Sequence, residues 1–146
     1  SIGLALTAAE TGIQVLATLH TASACKTIDR IVNVFPGRRQ DQIRAMLAES
    51  LRMVVSQRLV RASEGSKRFA VAEILINTHA AASMIRAGNS HKLESVIQAG
   101  GGLGMQSFDA VLKDLLRKKL IDPEEAHANA IDRAQFESGM PARNAA

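Results

Sequence analysis

Residues 13–19, Ile-Gln-Val-Leu-Ala-Thr-Leu, are apolar at both alternating sets of positions except at Gln14 and Thr18. A strand with two apolar faces has to be covered on both, which is the environment of a parallel sheet flanked by helices. The run ends in a polar cluster, Thr18, His20 and Thr21, and passes at once into a helical pattern. Ser23 is a candidate N-cap for that helix, which runs through Val34 with Ile28, Ile31 and Val32 turned inward. In open α/β sheets, ligands sit beyond the carboxyl ends of the strands. The pattern therefore predicts an α/β fold with a functional edge at Thr18–Thr21.

The rest of the chain divides by period. Ile2, Leu6 and Ala9 fall at helical spacing, with Gly12 as a C-cap. Pro36-Gly37 breaks the chain, and Ile43, Met46, Leu47 and Leu51 then form an amphipathic helical stripe. Val54–Val60 and Phe69–Ile76 are strand-like runs around the turn Ser63–Ser66, which predicts a hairpin. After Asn77 the pattern is all-helical: His79–Ala87, His91–Ala99, a glycine-rich link over 100–104, and a stripe of Phe108, Val111, Leu112, Leu115, Leu116 and Leu120. Asp122 and Pro123 open a last helix. A boundary near residue 78 gives two parts, 1–78 and 79–146, with fraying expected from about Gly139.

Aromatic residues are 3% of the chain, with no Trp and no Tyr, so the core must be aliphatic. The lone Cys25 cannot form an internal disulfide; a reducing compartment and a buried thiol are expected. No Cys/His cluster has zinc spacing, so no metal site is expected within the chain. No apolar run reaches the ~18–20 residues that span a bilayer, and no basic leader opens the chain. It begins at Ser1, inside a helical pattern, with the look of a fragment or of a truncated gene product. The net charge of +4 is concentrated in residues 21–68, with ten basic residues against four acidic ones. Such a block suits nucleic acid, anionic lipid, a nucleotide phosphate or an acidic neighbouring subunit. For nucleic acid, stacking aromatics and any recognition motif are missing, so that partner is not expected. There is no G-x-x-x-x-G-K-[ST] phosphate loop, and the glycines at 100–104 lack the Lys-Ser/Thr that would follow one.

Thr18-Leu-His-Thr21 resembles the core of the histidine box of the secretion-type ATPases that drive type IV pili and type II and type IV secretion. Ser1–Thr11 resembles the helix after their Walker B strand. Lys26–Ile31 with Val34-Phe-Pro36, Leu47–Arg52, Ser56–Val60, Ile85-Arg86 with Gly88, and Leu103–Gln106 extend the likeness, which is to the twitching-motility retraction branch. The resemblance implies the C-terminal portion of a RecA-like P-loop ATPase core followed by a small all-helical domain, in a protein that hydrolyses ATP with Mg2+ as a homohexamer. It further implies a cytoplasmic motor, peripheral to the inner membrane and partnered by the membrane-embedded pilus platform protein. Walker A and Walker B would lie upstream of the position matching Ser1, so this chain alone is expected to be inactive. The alternative is a non-catalytic truncated paralogue that binds and modulates a motor hexamer. Three departures stand out: Ile13 where the family has His after Gly12, Thr21-Ala-Ser23 for Thr-Asn-Ser, and Ala81, Ala82 and Ala87 in a segment where the family carries Ile, Arg and an acid.

Within that resemblance His20 is the candidate to bond the γ-phosphate region or to hold a catalytic acid, with Thr18 and Thr21 in the same network; without it, His20 reads as a satisfied histidine at a sheet edge. Gln57 and Arg58 sit among Val and Leu. Arg58 reads either as an anion ligand for nucleotide phosphate or a neighbour's carboxylate, or as part of an edge strand's wet face. Ile85, Arg86 and Gly88 are candidates for coupling motor movement, Arg86 reading equally as an exposed helix-end cation. Glu73, alone in an apolar strand, reads as the solvent side of the hairpin.

Overall fold

A hairpin sits at the centre of the chain. In the computed structural model, which describes residues 1–139, β1 (Met53–Arg61) pairs antiparallel with β2 (Arg68–Ile76), in register from Met53 opposite Ile76 to Arg61 opposite Arg68. Side chains alternate between faces. Val54, Ser56 and Val60 of β1, and Val71, Glu73 and Leu75 of β2, are buried on the inner face. Met53, Val55, Gln57 and Leu59 are exposed on the outer one. Gln106 adds one bridge to the free edge of β2, exchanging both backbone hydrogen bonds with Ile74.

Helices pack on the inner face at both ends of the hairpin. At the Val54–Leu75 end lie α1 (Ile2–Glu10), α2 (Ala24–Asn33), α3 (Gly37–Ser50), α4 (His79–Arg86) and α5 (Leu93–Ala99), which bury Leu6, Ile28, Ile43, Leu47, Ile85, Leu93 and Ile97 in one aliphatic cluster. At the Val60–Val71 end lie α6 (Phe108–Arg117) and α7 (Pro123–Asn129), whose Phe108, Leu112 and Ala126 close a second cluster with Ile121 and Phe136. The first cluster takes residues from both sides of residue 78, so helices α4 and α5 share the core of the preceding segment. The fraying expected from about Gly139 falls on residues 140–146, outside the described residues.

The helical expectations are met closely. Ser23 caps α2 by accepting from the Lys26 amide, and Asp122 and Pro123 open α7. The stretch His91–Ala99 begins as a single 3-10 turn over Ser90–Lys92 before α5. Residues 13–20 overturn an expectation: they form no strand. Ile13 is 60% and Leu16 88% exposed. A strand apolar on both faces needs sheet neighbours, and among the described residues the only strands are β1 and β2, which pair with each other.

Three helices end in the same way. The residue after the C-cap is left-handed at Gly12 (φ 90°), Gly88 (φ 72°) and Lys119 (φ 56°). In each the paired backbone bonds of a Schellman end are present: Ile13 to Ala8 and Gly12 to Ala9, Asn89 to Met84 and Gly88 to Ile85, Leu120 to Leu115 and Lys119 to Leu116. Lys119 alone carries a Cβ in that conformation. Lys119→Gly should therefore stabilise the chain by about 0.5–1 kcal/mol, the relief of left-handed strain exceeding glycine's entropy cost. Gly88→Ala should cost about 1 kcal/mol, since an L side chain is strained at φ 72°. Urea denaturation of the two variants checks both signs.

Candidate functional site

The start of α2 is where the polar groups of the molecule converge. Ser23 accepts from the Lys26 amide, and Glu73 Oε1, reaching across from β2, accepts from the Ala24 amide at 2.6 Å. Two of the orphan amides at this helix start are thereby satisfied, one by a carboxylate that also suits the positive end of the helix dipole. Thr27 Oγ1 donates to Ser23 O at 2.9 Å and lies 2.7 Å from Thr21 Oγ1. A hydroxyl has one proton, so Thr21 is the donor to Thr27 and keeps its own lone pairs for an outside donor.

The expected trio is only partly brought together. Thr21 is tied to α2, whereas Thr18 and His20 are exposed on the unpaired segment before it. His20 is thus presented next to an ordered helix start without being held itself.

Arg58 and Gln57 are parted by strand alternation. Gln57 faces out, opposite Ala72, and Arg58 faces in. Arg58 Nη2 donates to Ala22 O and Nη1 to Asn129 O, both at 3.0 Å, and the guanidinium lies 4.7 Å from the Phe108 ring centre. Each of its two terminal nitrogens donates to a backbone carbonyl, so in this chain the guanidinium is turned towards the chain's own backbone. The turn after α7 is held from the other side by Asp109, whose two carboxylate oxygens accept from the Ile131 and Asp132 amides at 2.8 and 2.9 Å.

Glu73 is likewise not on the solvent side of the hairpin; it is 3% exposed. Burial raises its pKa, the Ala24 amide opposes the rise, Glu94 adds to it, and Arg58 opposes it. Burial first and the Glu73 charge second push the Cys25 thiol up to about 11, so it is a protonated, unreactive thiol at neutral pH. The signal for Glu73 was present in its parity with Val71 and Leu75, two residues to either side. Asp109 offered none, since its partners lie far along the chain.

Ile85, Arg86 and Gly88 gather at the end of α4 with separate tasks. Ile85 is fully buried between α3 and α4, worth about 1.5–3 kcal/mol. The exposed Arg86–Glu49 pair, at 3.4 Å, is worth at most about 1 kcal/mol. Ile85 therefore anchors this end, and Arg86 is free for other contacts at little cost. Among the described residues no group of three His, Cys, Asp or Glu side chains comes together to hold a metal ion, and no helix is long and apolar enough to cross a membrane.

Residues 1–101 match the type II/IV secretion system protein family, and the chain belongs to it. It is 50% identical over 130 residues to the type IV pilus retraction ATPase PilT of Pseudomonas aeruginosa, covering 89% of this chain and 38% of that protein. It is 48% identical over 130 residues to the twitching motility protein of Neisseria gonorrhoeae, covering 89% of this chain and 35% of that one. The chain thus spans just over a third of the length of these relatives. The crystal structure of the pilus retraction motor PilT with bound ADP superposes with a TM-score of 0.82 at 35% identity, covering 94% of this chain and 38% of that one. The DotB ATPase of Legionella pneumophila, at 24% identity and a TM-score of 0.72 over 87% of this chain and 34% of its own, shares the fold. The fold is an α/β one shared with these secretion ATPases.

The Glu73 environment fixes a pH dependence. Its folded-state pKa lies above the ordinary 4.5, so the folded chain holds this proton more tightly than the unfolded one. The resulting stability is complete below about pH 4.5 and is lost as pH rises through the folded-state value. Relative to the wild type, Glu73→Gln should therefore gain stability as pH is raised from 4.5 towards neutral. Urea midpoints of both chains across that range test it; a pH-independent difference contradicts the raised pKa.

Proposed function

We propose that this chain is the C-terminal part of a hexameric, RecA-like motor ATPase that hydrolyses MgATP to retract type IV pili, working against the pilus platform protein at the cytoplasmic side of the inner membrane. The observation that carries the reading is 48–50% identity to two pilus and twitching proteins over 89% of the chain. The ADP in the superposable retraction motor supports nucleotide as the ligand. On this reading residues 1–78 complete the ATPase core and residues 79–146 form its helical appendage, fused through the shared cluster around Ile85. The exposed apolar side chains Ile13, Leu16, Met53, Val55 and Leu59 suit a larger core lying over them.

The donors on this chain suit only the outer part of a nucleotide site. His20, Thr18 and Thr21 supply an imidazole and two hydroxyls for the phosphate side, and Gln57 offers an exposed amide. A phosphate-cradling loop and the acidic ligands of Mg2+ would come from residues outside this chain. His20 senses or stabilises charge on the phosphate, while Ile85, Arg86 and Gly88 carry movement through α4. The replacement of Arg and an acid by Ala82 and Ala87 favours, as a second reading, a chain that modulates a motor hexamer without driving it.

A chimera decides between them. The chain is placed behind the upstream portion of the P. aeruginosa relative, in place of the matching segment. The chimera should turn over MgATP and restore twitching to a strain lacking its own motor, and the isolated chain should do neither. His20→Ala in the chimera should lower kcat by about tenfold or more. A hexameric chimera that hydrolyses nothing overturns the motor reading and favours the modulator.

A further inference from the structure

One side chain, Arg58, joins three parts of the chain that are far apart in sequence. It holds the carbonyl of Ala22, two residues after His20, and the carbonyl of Asn129, the last residue of α7, while stacking on Phe108 at the start of α6. On the same inner face of the hairpin, Glu73 holds the amide of Ala24. The junction between the His20 segment and α2 is thus gripped at a carbonyl and at an amide, two residues apart, by the two strands of one rigid unit.

We infer that Arg58 and Glu73 form a positioning clamp for the segment that carries His20, and that Arg58 couples this segment to the C-terminal end of α7. Its bearing on catalysis rests on the function proposed above; the clamp itself does not.

The residue types fit the task. A guanidinium is a planar fork that can hold two acceptors at once, whereas an ammonium is a point charge. The Phe108 face fixes the plane of the fork. The carbonyl end of a helix favours a cation, so Asn129 O is a strong acceptor for it. Asp109, by binding the Ile131 and Asp132 amides, makes the start of α6 and the end of α7 one piece. Two residues of chain span about 7 Å at most, so the Ala22 carbonyl sets the region His20 can reach. A shift of α7 would be felt there through a single side chain.

Hydrogen exchange on the 146-residue chain tests the coupling. In Arg58→Lys, amides of residues 21–26 and of residues 126–132 should both exchange about tenfold faster, the effect of losing a charged hydrogen bond at each. Amides of α3 and α4 should keep their wild-type rates. Glu73→Ala, which removes the acceptor of the Ala24 amide, should speed residues 24–26 alone. Response of only one segment to Arg58→Lys, no response, or uniform acceleration through α3 and α4 overturns the clamp. In the chimera, Arg58→Lys should lower kcat about tenfold while KM for ATP stays within about twofold; an equal loss through KM assigns Arg58 to nucleotide binding instead. A wild-type chimera without turnover counts against the motor reading and leaves the exchange result to judge the clamp.

Discussion

Two strands alone have little stability in water, and this hairpin carries a carboxylate and a guanidinium in the middle of its inner face. Such groups are tolerated only where each finds partners. Here the partners are backbone groups of the helices that cover the hairpin: Ala24 N for Glu73, and Ala22 O and Asn129 O for Arg58. The helices are therefore located by the polar centre of the sheet as well as by its apolar ends. Replacing either side chain by an apolar one would leave unpaired backbone groups on a different element, which is why these two residues bear on the whole arrangement.

The same belt explains the division of the core. Ser56 opposite Glu73, and Arg58 opposite Val71, lie between the Val54–Leu75 pair at one end and the Val60–Phe69 pair at the other. Apolar contacts cannot run continuously along the face, and two clusters result, one under α1–α5 and one under α6 and α7. The hairpin is the lever they share. Because it crosses from one cluster to the other, the helices after residue 78 are not an independent layer. Those of α4 and α5 complete the first cluster, and α6 and α7 build the second around Phe108, one of only four Phe in a chain without Trp or Tyr. A largely aliphatic core leaves shape to fix the packing, and the Phe108 ring gives the half-buried Arg58 guanidinium a face.

Elements governed by local chemistry were legible in the sequence. Ser23, Gly12, Gly88 and Asp122-Pro123 marked helix ends because capping acts within a few residues. The hairpin followed from β-branched runs around Gly65. Residues 13–20 were not legible because their apolar faces state a requirement, two sheet neighbours, that no strand described in this chain meets. Glu73 follows the strand's period, sharing the buried face with Val71 and Leu75, and the general tendency of lone acids to face solvent gives way because the Ala24 amide is there to bind it. The partners of Arg58 were not legible, since the carbonyls of Ala22 and Asn129 leave no mark in the sequence around it.

Of the candidate reactive side chains only Thr21 is held, by Thr27; His20, Thr18 and Gln57 are exposed, whereas the hydrogen bonds of Glu73, Arg58 and Asp109 all go to backbone groups. Catalysis needs donors fixed in advance, with their surroundings holding them. In this chain the fixed elements are the backbone at residues 22–24 and 129–132, and the histidine hangs two residues from the first of them. On the proposed function such an architecture sets where His20 can be and passes movement of the helical end to it, while leaving the phosphate grip to residues outside this chain. A shift of α7 would reach residue 22 through the Arg58 fork, and a shift of the hairpin would reach residues 22–24 through Arg58 and Glu73 together, while His20 keeps the freedom of the unheld segment that carries it.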